Sequence, residues 1–178
     1  MAIIVEGFDN SGKSTLAASL GRPVVHPGPR PGPSEELDYL VEQLRTSVHP
    51  VTMDRVTAIS QPCYGDIASL PFYLPYARKM LDSYPCILIY CRPPTEVIKD
   101  FSNHVVKSYD DESKVRWLQD NADRIIANYD YVMAKVPHLK YDYTDPDPNV
   151  IELALNSSQS LGAWTDAKYY LRQPSLFR

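Results

Sequence analysis

The sequence predicts a three-layer α/β fold in which helices cover both faces of a five-stranded parallel sheet. Strand-like and helix-like segments alternate along the 178-residue chain, which is typical of a parallel sheet with helical crossovers. Residues 86–91 are apolar or aromatic without interruption, as a strand buried on both faces requires. Near the start of the chain, a short apolar run is followed by a glycine-rich loop and a helix-competent stretch.

The first elements follow from local composition. Residues 2–5 are apolar and rich in β-branched side chains, which favours a strand, and residues 13–20 have helical composition. A short second strand is predicted over 23–26. It leads into a proline-rich loop over 26–33, where the fixed φ of proline stiffens the connection.

Ser34 begins the next predicted helix, because its hydroxyl can cap the first turn and two acidic residues follow it. A third short strand is predicted over 51–53. Residues 66–84 are expected to be helical with interruptions near Pro71 and Pro75, since proline cannot donate a helical hydrogen bond.

The second half continues the alternation after the buried strand. A short helix is predicted over 94–101, and residues 115–133 show the strongest three- and four-residue apolar spacing in the chain. A fifth strand over 138–143 and a helix over 149–158 follow. No element is predicted for the aromatic-rich tail 159–178.

One domain is expected to span residues 1–178, because the length suits one core and neither a repeat nor a linker interrupts it. The net charge of −4 argues against an extended surface for duplex nucleic acid. No run approaches the ~18 apolar residues of a membrane span, and the N-terminus lacks the basic region of a signal peptide. We therefore expect a cytoplasmic protein with no membrane partner.

The cysteines give no sign of a metal site or a disulfide framework. Cys63, Cys86 and Cys91 are expected to be buried thiols in a reducing compartment. Cys86 and Cys91 are five positions apart on one predicted strand, so their side chains should point to opposite faces of the sheet.

The segment 7–14 matches the phosphate-loop pattern G-x-x-x-x-G-K-[ST] between a strand and a helix. Its backbone N–H groups are expected to surround the phosphates of a nucleoside triphosphate. Lys13, expected to be exposed, would reach the outer phosphates, and Ser14 would offer its hydroxyl to Mg²⁺. The residues predicted to bind the nucleotide here are Gly7, Asp9, Asn10, Ser11, Gly12, Lys13, Ser14 and Thr15.

Asp54 and Arg55 follow the third predicted strand, at the carboxyl edge where ligands of open α/β sheets bind. Asp54 could hold Mg²⁺, directly or through water, or accept a proton from an attacking hydroxyl. Arg55 could neutralise charge on the acceptor or on the transferring phosphoryl group. Without the phosphate loop, an ordinary salt bridge at a strand end would be the simpler interpretation.

The chain resembles the thymidylate kinase family in two places. The family's loop reads E-G-x-D-G-x-G-K-S-T, and a D-R pair follows its third strand. The matching residues here are Glu6, Gly7, Phe8, Asp9, Asn10, Ser11, Gly12, Lys13, Ser14, Thr15, Asp54 and Arg55. The resemblance implies the P-loop kinase fold, with ATP and Mg²⁺ as cofactors and Lys13, Asp54, Arg55 and Asp9 as catalytic residues.

Two departures from the family pattern stand out. Asn10 replaces a glycine, which is a mild change because Asn tolerates left-handed backbone. The lid-like segment 103–116 lacks the close arginine pair that the family normally carries there. The chain is also shorter than a typical member. Together with the stretches Tyr90-Cys91-Arg92-Pro93-Pro94 and Tyr141-Asp142-Tyr143-Thr144, it looks like the compact, phage-encoded branch of the family. That branch includes nucleotide kinases and 5-hydroxymethyluridine DNA kinases, and the location would then be the host cytoplasm.

The acceptor has two interpretations at this stage. A hydroxymethyl group on a thymine-like base in DNA needs a general base, for which Asp54 and Asp9 are candidates, and an accessible groove. A nucleoside monophosphate needs cationic side chains instead, and Arg30, Arg45 and Arg78 are candidates as well as ordinary surface charges. The short lid favours DNA, whereas the acidic net charge favours a small substrate. On the lid and the resemblance to the compact branch, we expect the hydroxymethyl group of 5-hydroxymethyluridine in DNA as the acceptor, with a deoxynucleoside monophosphate (dTMP or dGMP) as the alternative.

Other positions are assigned less directly. Tyr64, taken as a loop residue, could stack on the acceptor base or simply pack. Arg92 could contact the nucleotide or form a structural ion pair, and 142–147 could hold the purine by analogy with similar folds. The tail 159–178 could cover the core or support a dimer. An ATP-gated regulator with little chemistry is a third alternative, and it would not need Asp54 and Arg55.

Overall fold

A computed structural model of the chain describes residues 2–26, 35–82, 86–102 and 112–157. Five strands and seven α-helices alternate in this part of the chain, with one 3₁₀ turn at Ile67–Ser69. The strands are β1 (Ile3–Glu6), β2 (Val24–Val25), β3 (Thr52–Asp54), β4 (Ile87–Cys91) and β5 (Leu139–Tyr141). The helices are α1 (Lys13–Ser19), α2 (Glu36–Thr46), α3 (Thr57–Tyr64), α4 (Leu70–Asp82), α5 (Thr95–Lys99), α6 (Glu112–Met133) and α7 (Pro148–Ser157).

The strands form one parallel sheet in the order β2-β3-β1-β4-β5. β1 lies at the centre, and every residue of β1 and β4 is buried. In register, Val5 is opposite Asp54 on β3 and Ile89 on β4. This register brings the phosphate loop, the residues after β3 and the residues after β4 to the same edge of the sheet.

Two apolar clusters cover the two faces of the sheet, so the fold has three layers. Ile4 belongs to the cluster that includes α2, α3, α4 and α6, whereas its neighbours Ile3 and Val5 belong to the cluster that includes α1 and α7. This division follows from the alternation of side chains along a strand. Cys86 and Cys91 lie in opposite clusters, as predicted, and the three cysteines are free and buried.

Two local predictions were wrong. Tyr64 is not a loop residue, because it ends α3, a helix that was not predicted and that contains Pro62. The expected interruption at Pro75 is also absent, since α4 runs continuously from Leu70 to Asp82. Pro71 lies in the first turn of α4, where no backbone donor is required, and packing of the apolar face outweighs the one bond lost at Pro75.

Some predicted segments lie outside the described residues. These are the loop residues 27–33, Ser34, most of the lid-like segment 103–116 and the tail 159–178. The division of the chain into one domain with these segments stays a prediction. In the described part, no helix combines the length and the apolarity that crossing a membrane would require.

Candidate active site

The phosphate loop has the open, left-handed backbone that the pattern predicts. Gly7 and Gly12 have φ values of +150° and +80°, and Asn10 has a φ of +64°. A Cβ on Gly7 would lie 2.6 Å from both Cys91 O and Ser11 Oγ. A Cβ on Gly12 would lie 2.7 Å from Cδ1 of Tyr143. Gly7 is therefore required by space as well as by conformation, because the backbone oxygen of Cys91 cannot move aside. At Gly12 the exposed Tyr143 side chain could shift, so the positive φ is the stronger requirement.

Lys13 is buried, with 7% of its surface exposed, which corrects the expectation of an exposed loop lysine. Its side chain folds back over the loop, and Nζ donates a hydrogen bond to Phe8 O at 3.2 Å. Burial and the charge of Arg55 lower the pKa of Lys13, while Asp9 and Asp54 act in the opposite direction. The ammonium group is thus held against the loop that would surround a phosphate.

Ser14 and Asp54 meet at the edge of the sheet, where Ser14 Oγ donates to Asp54 Oδ2 at 2.8 Å. Asp54 is 6% exposed, and its Oδ1 is buried with no hydrogen-bond partner among the described residues. The exposed ring of His26 lies 3.4 Å from Oδ2 (through Nδ1). A carboxylate oxygen without a hydrogen-bond partner, next to a hydroxyl group, is a suitable pair of ligands for Mg²⁺. This ion usually binds few protein oxygens and completes its coordination with phosphates and water.

The described residues contain no group of three or more His, Cys, Asp or Glu side chains that could hold a metal by themselves. This agrees with the small donor set at Ser14 and Asp54, because a phosphate-bound Mg²⁺ does not require an all-protein cage. Ser11 Oγ is a second buried oxygen without a partner among the described residues. It belongs to the same loop, where a phosphate would supply the missing acceptor.

Asp9, Arg55 and Tyr64 form a compact polar cluster beside the loop. Arg55 Nη2 lies 3.0 Å from Asp9 Oδ2 and donates to Tyr64 Oη at 2.7 Å. Tyr64 Oη donates to Asp9 Oδ2 at 2.6 Å and accepts from Asp9 N at 3.1 Å. Partial burial alone would raise the pKa of Asp9, but the charges of Arg55 and Lys13 hold it well below its usual range.

Arg55 adopts a strained backbone, with a φ of +75° in a residue other than glycine. Its N–H donates to Val5 O at 2.9 Å, and its guanidinium lies 4.9 Å from the centre of the Tyr64 ring. Surrounding contacts must hold such a conformation in place, and strain of this kind often occurs at functional sites.

Glu6, the last residue of β1, is fully buried beneath this cluster. It accepts hydrogen bonds from Val56 N at 2.5 Å and from Tyr129 Oη at 3.1 Å. Burial raises the pKa of Glu6 to about 7, although the Val56 N–H and the charge of Arg55 lower it in part. Glu6 therefore ties β1 to the residue after Arg55 and to α6.

A pH dependence of stability follows from Glu6. Folded protein keeps the Glu6 proton up to a pKa of about 7, whereas in the unfolded chain the glutamate side chain releases it near its ordinary pKa of 4.5. The folded state binds more protons in this window, so the contribution of Glu6 to stability is largest below pH 4.5 and is lost as the pH rises towards 7. Relative to Glu6→Gln, the free energy of unfolding should fall by about 3 kcal/mol across the window. Urea titrations of both proteins measure this, and parallel pH curves would contradict the assignment.

Arg92 forms a structural ion pair in this structure. Its Nε and Nη2 donate to the two carboxylate oxygens of Asp130 at 2.9 and 3.1 Å, and Tyr90 Oη donates to Asp130 at 2.8 Å. The cavity of about 530 Å³ that Arg92 lines includes none of the phosphate-loop residues. Its nucleotide contact stays a prediction, and the ion-pair alternative accounts for its position.

Of the three candidate acceptor arginines, the two that the structure describes, Arg45 and Arg78, do not converge on the site. Arg30 lies outside the described residues, and Arg45 pairs with Glu42 on the surface at 3.6 Å. Arg78 lines a cavity between α4 and α6 that contains no residue of the loop. Arg55, in contrast, pairs with the loop side chain of Asp9.

Several site residues received no role of their own from the sequence. Tyr129 and His26 meet the site only through folding, although His26 could have been noticed because it follows a strand that ends at the ligand edge. Tyr143 belongs to the segment 142–147, which was expected to hold the purine, but it was not singled out. Glu6 belongs to the family-like loop motif, but the motif gave it no role. Tyr143 lies on Gly12 and is 40% exposed.

A phosphate loop between the central strand and the first helix, in a sheet ordered β2-β3-β1-β4-β5, defines a P-loop α/β fold. No protein-family model matches the chain, and neither does any curated protein. Solved structures do match. One is the YorR protein from Bacillus subtilis in complex with phosphorylated GDP, at 17% identity and a TM-score of 0.58, covering 100% of this chain and 99% of that chain.

Two further structures are kinases. A gluconokinase from Sinorhizobium meliloti 1021 has 13% identity and a TM-score of 0.52, covering 98% of this chain and 97% of its own. Deoxyadenosine kinase from M. mycoides with bound dATP has 17% identity and a TM-score of 0.50, and the match covers 90% of this chain and 100% of that chain. At these identities the likeness establishes the fold, so the predicted three-layer P-loop kinase fold is confirmed. Membership of the thymidylate kinase family stays a prediction.

Proposed function

We propose that the chain is an ATP-dependent kinase of a thymidine-type deoxynucleotide. Its acceptor is a hydroxyl group, with the hydroxymethyl group of 5-hydroxymethyluridine in DNA as the best candidate. The observation that carries this proposal is the Asp9–Arg55 ion pair at 3.0 Å. It places the Asp9 carboxylate at the site, and it partly neutralises the charge of the Arg55 guanidinium. A hydroxyl acceptor would use the carboxylate, whereas a phosphate acceptor would need the guanidinium free.

The donor half consists of the loop, Lys13, Ser14 and Asp54. Loop N–H groups and the Lys13 ammonium would hold the phosphates of ATP and offset the charge of the transferring group. Ser14 Oγ and Asp54 would hold Mg²⁺, which when bound neutralises charge on the phosphate oxygens. Phosphoryl transfer requires mainly positioning and charge stabilisation, and these residues are suited to both.

The acceptor half consists of Asp9, Arg55 and Tyr64. The described contacts of the Asp9 carboxylate are made through Oδ2, and we assign Oδ1 to the incoming hydroxyl. Asp9 would orient that hydroxyl and take its proton during transfer. Because Arg55 and Lys13 keep the pKa of Asp9 low, the carboxylate is ionised at neutral pH and can accept a hydrogen bond from the hydroxyl. The same low pKa makes Asp9 a weak base, so it would take the proton late in transfer, once the hydroxyl oxygen bonds to phosphorus.

A deoxynucleoside monophosphate kinase (for dTMP or dGMP) is the second candidate, and one observation favours it. Nε of Arg55 is buried and has no hydrogen-bond partner among the described residues. The guanidinium therefore keeps an unused donor, which an acceptor phosphate could use if the side chain shifted to expose it.

Labelled ATP offered to dTMP, to dGMP and to an oligonucleotide containing 5-hydroxymethyluridine distinguishes the two candidates. A matched oligonucleotide with thymine in place of the modified base is the control. We expect label on the modified oligonucleotide alone. Label on a monophosphate alone would establish the second candidate, and no transfer to any acceptor would contradict both.

Asp9→Asn provides a second discrimination. With a hydroxyl acceptor, kcat should fall by on the order of 100-fold, because the group that takes the proton is lost, while the KM for ATP changes little. An ionised monophosphate needs no such base, so its phosphorylation would be affected far less. Asp120→Asn, an exposed change on α6, is the control, and steady-state kinetics with each acceptor is the measurement.

A further inference from the structure

Asn10 does more than tolerate the left-handed backbone of the loop. Its side-chain Nδ2 lies 3.3 Å from Val97 O, 3.3 Å from Ile98 O and 2.8 Å from Asp100 O. These three carbonyls belong to the last turn and the end of α5. The amide therefore joins the phosphate loop to a segment that is 87–90 residues away in sequence.

The end of α5 needs such a donor. The last carbonyls of a helix have no partner within the helix, and α5 is five residues long, so most of its carbonyls are of this kind. Within the segment, the N–H of Asp100 donates a hydrogen bond to Val97 O at 3.3 Å. Asn10 is positioned to satisfy the carbonyls of Ile98 and Asp100, because its side-chain amide carries two N–H donors.

A second loop residue contacts the same segment. The ring of Phe8 is 1% exposed and lies edge-on to Phe101, with ring centres 6.2 Å apart. Phe8 also stacks on Tyr64, with centres 6.1 Å apart. The loop is thus anchored to the end of α5 by an apolar contact at residue 8 and by a polar contact at residue 10.

We propose that Asn10 is a positioning residue of the nucleotide site: its amide fixes the phosphate loop to the carboxyl end of α5 and keeps the loop in the phosphate-binding conformation before ATP arrives. This inference rests on the proposed function, since it assumes that the loop binds ATP. Without the contact the loop would populate other conformations, and the apparent affinity for ATP falls in proportion to the binding-competent fraction.

Asn10→Gly separates this role from a purely conformational one. Glycine adopts a φ of +64° without strain, so a backbone role predicts ATP binding at least as tight as in the wild type. Loss of the amide contact predicts the opposite, a Kd and KM for ATP about fivefold higher, which corresponds to one net hydrogen bond. Because the chemical groups are untouched, kcat at saturating ATP should remain within about twofold of wild type.

Asn10→Asp is the second variant. Asp has nearly the same shape and also tolerates left-handed backbone, but it has no donor and places a negative charge against three carbonyl oxygens. Its ATP affinity should therefore be lower than that of Asn10→Gly. Asn156→Asp, which makes the same chemical change at an exposed position of α7, should bind ATP like the wild type.

Calorimetry of ATP–Mg²⁺ binding, steady-state kinetics and amide hydrogen exchange of residues 97–101 test the proposal. We expect faster exchange in that segment in Asn10→Gly than in wild type without nucleotide. Wild-type affinity in Asn10→Gly would overturn the inference while leaving the kinase proposal intact. Failure of the wild-type protein to bind ATP would instead overturn the proposed function.

Discussion

Lys13→Ala is expected to lower kcat for phosphoryl transfer by on the order of 100- to 1,000-fold, the usual effect of removing one preorganised charge stabiliser. Nζ lies 3.2 Å from Phe8 O, against the loop that would hold the phosphates. The same ammonium would meet the negative charge of the outer phosphates during transfer. Its loss should therefore affect the transition state more than the initial binding of ATP.

Burial of Lys13 makes a stability measurement necessary alongside the kinetics. The variant loses the hydrogen bond from Lys13 to a carbonyl, which lowers the free energy of unfolding by about 1–3 kcal/mol for a charged donor. Part of this loss is offset, because the repulsion between Lys13 and Arg55 is also removed. We expect a folded protein whose unfolding midpoint is lower than that of wild type by a few degrees, on the order of 2–4 °C per kcal/mol. Lys79→Ala, at an exposed position of α4, is the matched control. A folded Lys13→Ala protein with wild-type turnover would contradict the phosphate-loop mechanism.

Asp54→Asn is expected to lower kcat by on the order of 10- to 100-fold, with a smaller change in ATP affinity. Asn keeps the shape of Asp54 but removes its negative charge. That charge is shared by the oxygen that accepts from Ser14 Oγ and by the buried, unpartnered Oδ1. If Asp54 holds Mg²⁺, the half-saturating Mg²⁺ concentration should rise as well. If it takes a proton instead, the pH profile of kcat should change while the Mg²⁺ dependence does not.

Ser14→Ala and the double variant complete this experiment. The two side chains are 2.8 Å apart, so their effects should be strongly non-additive if they serve one ion. Asp120→Asn again serves as the exposed control. If Asp54→Asn lost only ATP affinity and kept its kcat, Asp54 would neither hold Mg²⁺ nor take a proton. Fully additive effects of the two substitutions, together with an unchanged pH profile of kcat, would contradict both roles as well.

Local pattern was sufficient for most of the fold because each element carries its own periodicity. The buried strand near residues 86–91 was readable from its continuous apolar run, and α6 from its three- and four-residue spacing. α3 was missed because its eight residues include Pro62, an unfavourable helix residue. It forms because four of its apolar side chains, those of Ala58, Ile59, Pro62 and Cys63, are buried, a tertiary effect that local propensity does not contain.

The sequence by itself determined the phosphate loop, because the spacing of its glycines, Lys13 and Ser14 is a local property of eight consecutive residues. It also determined that Asp54 would lie at the ligand edge, because parallel strands end on one side of a sheet. The tertiary structure alone decided the partners: Tyr64 meets Asp9 across 55 residues, Asn10 meets Asp100 across 90, and Tyr129 meets Glu6 across 123. Contacts of that separation depend on how the layers pack, and no local pattern specifies them.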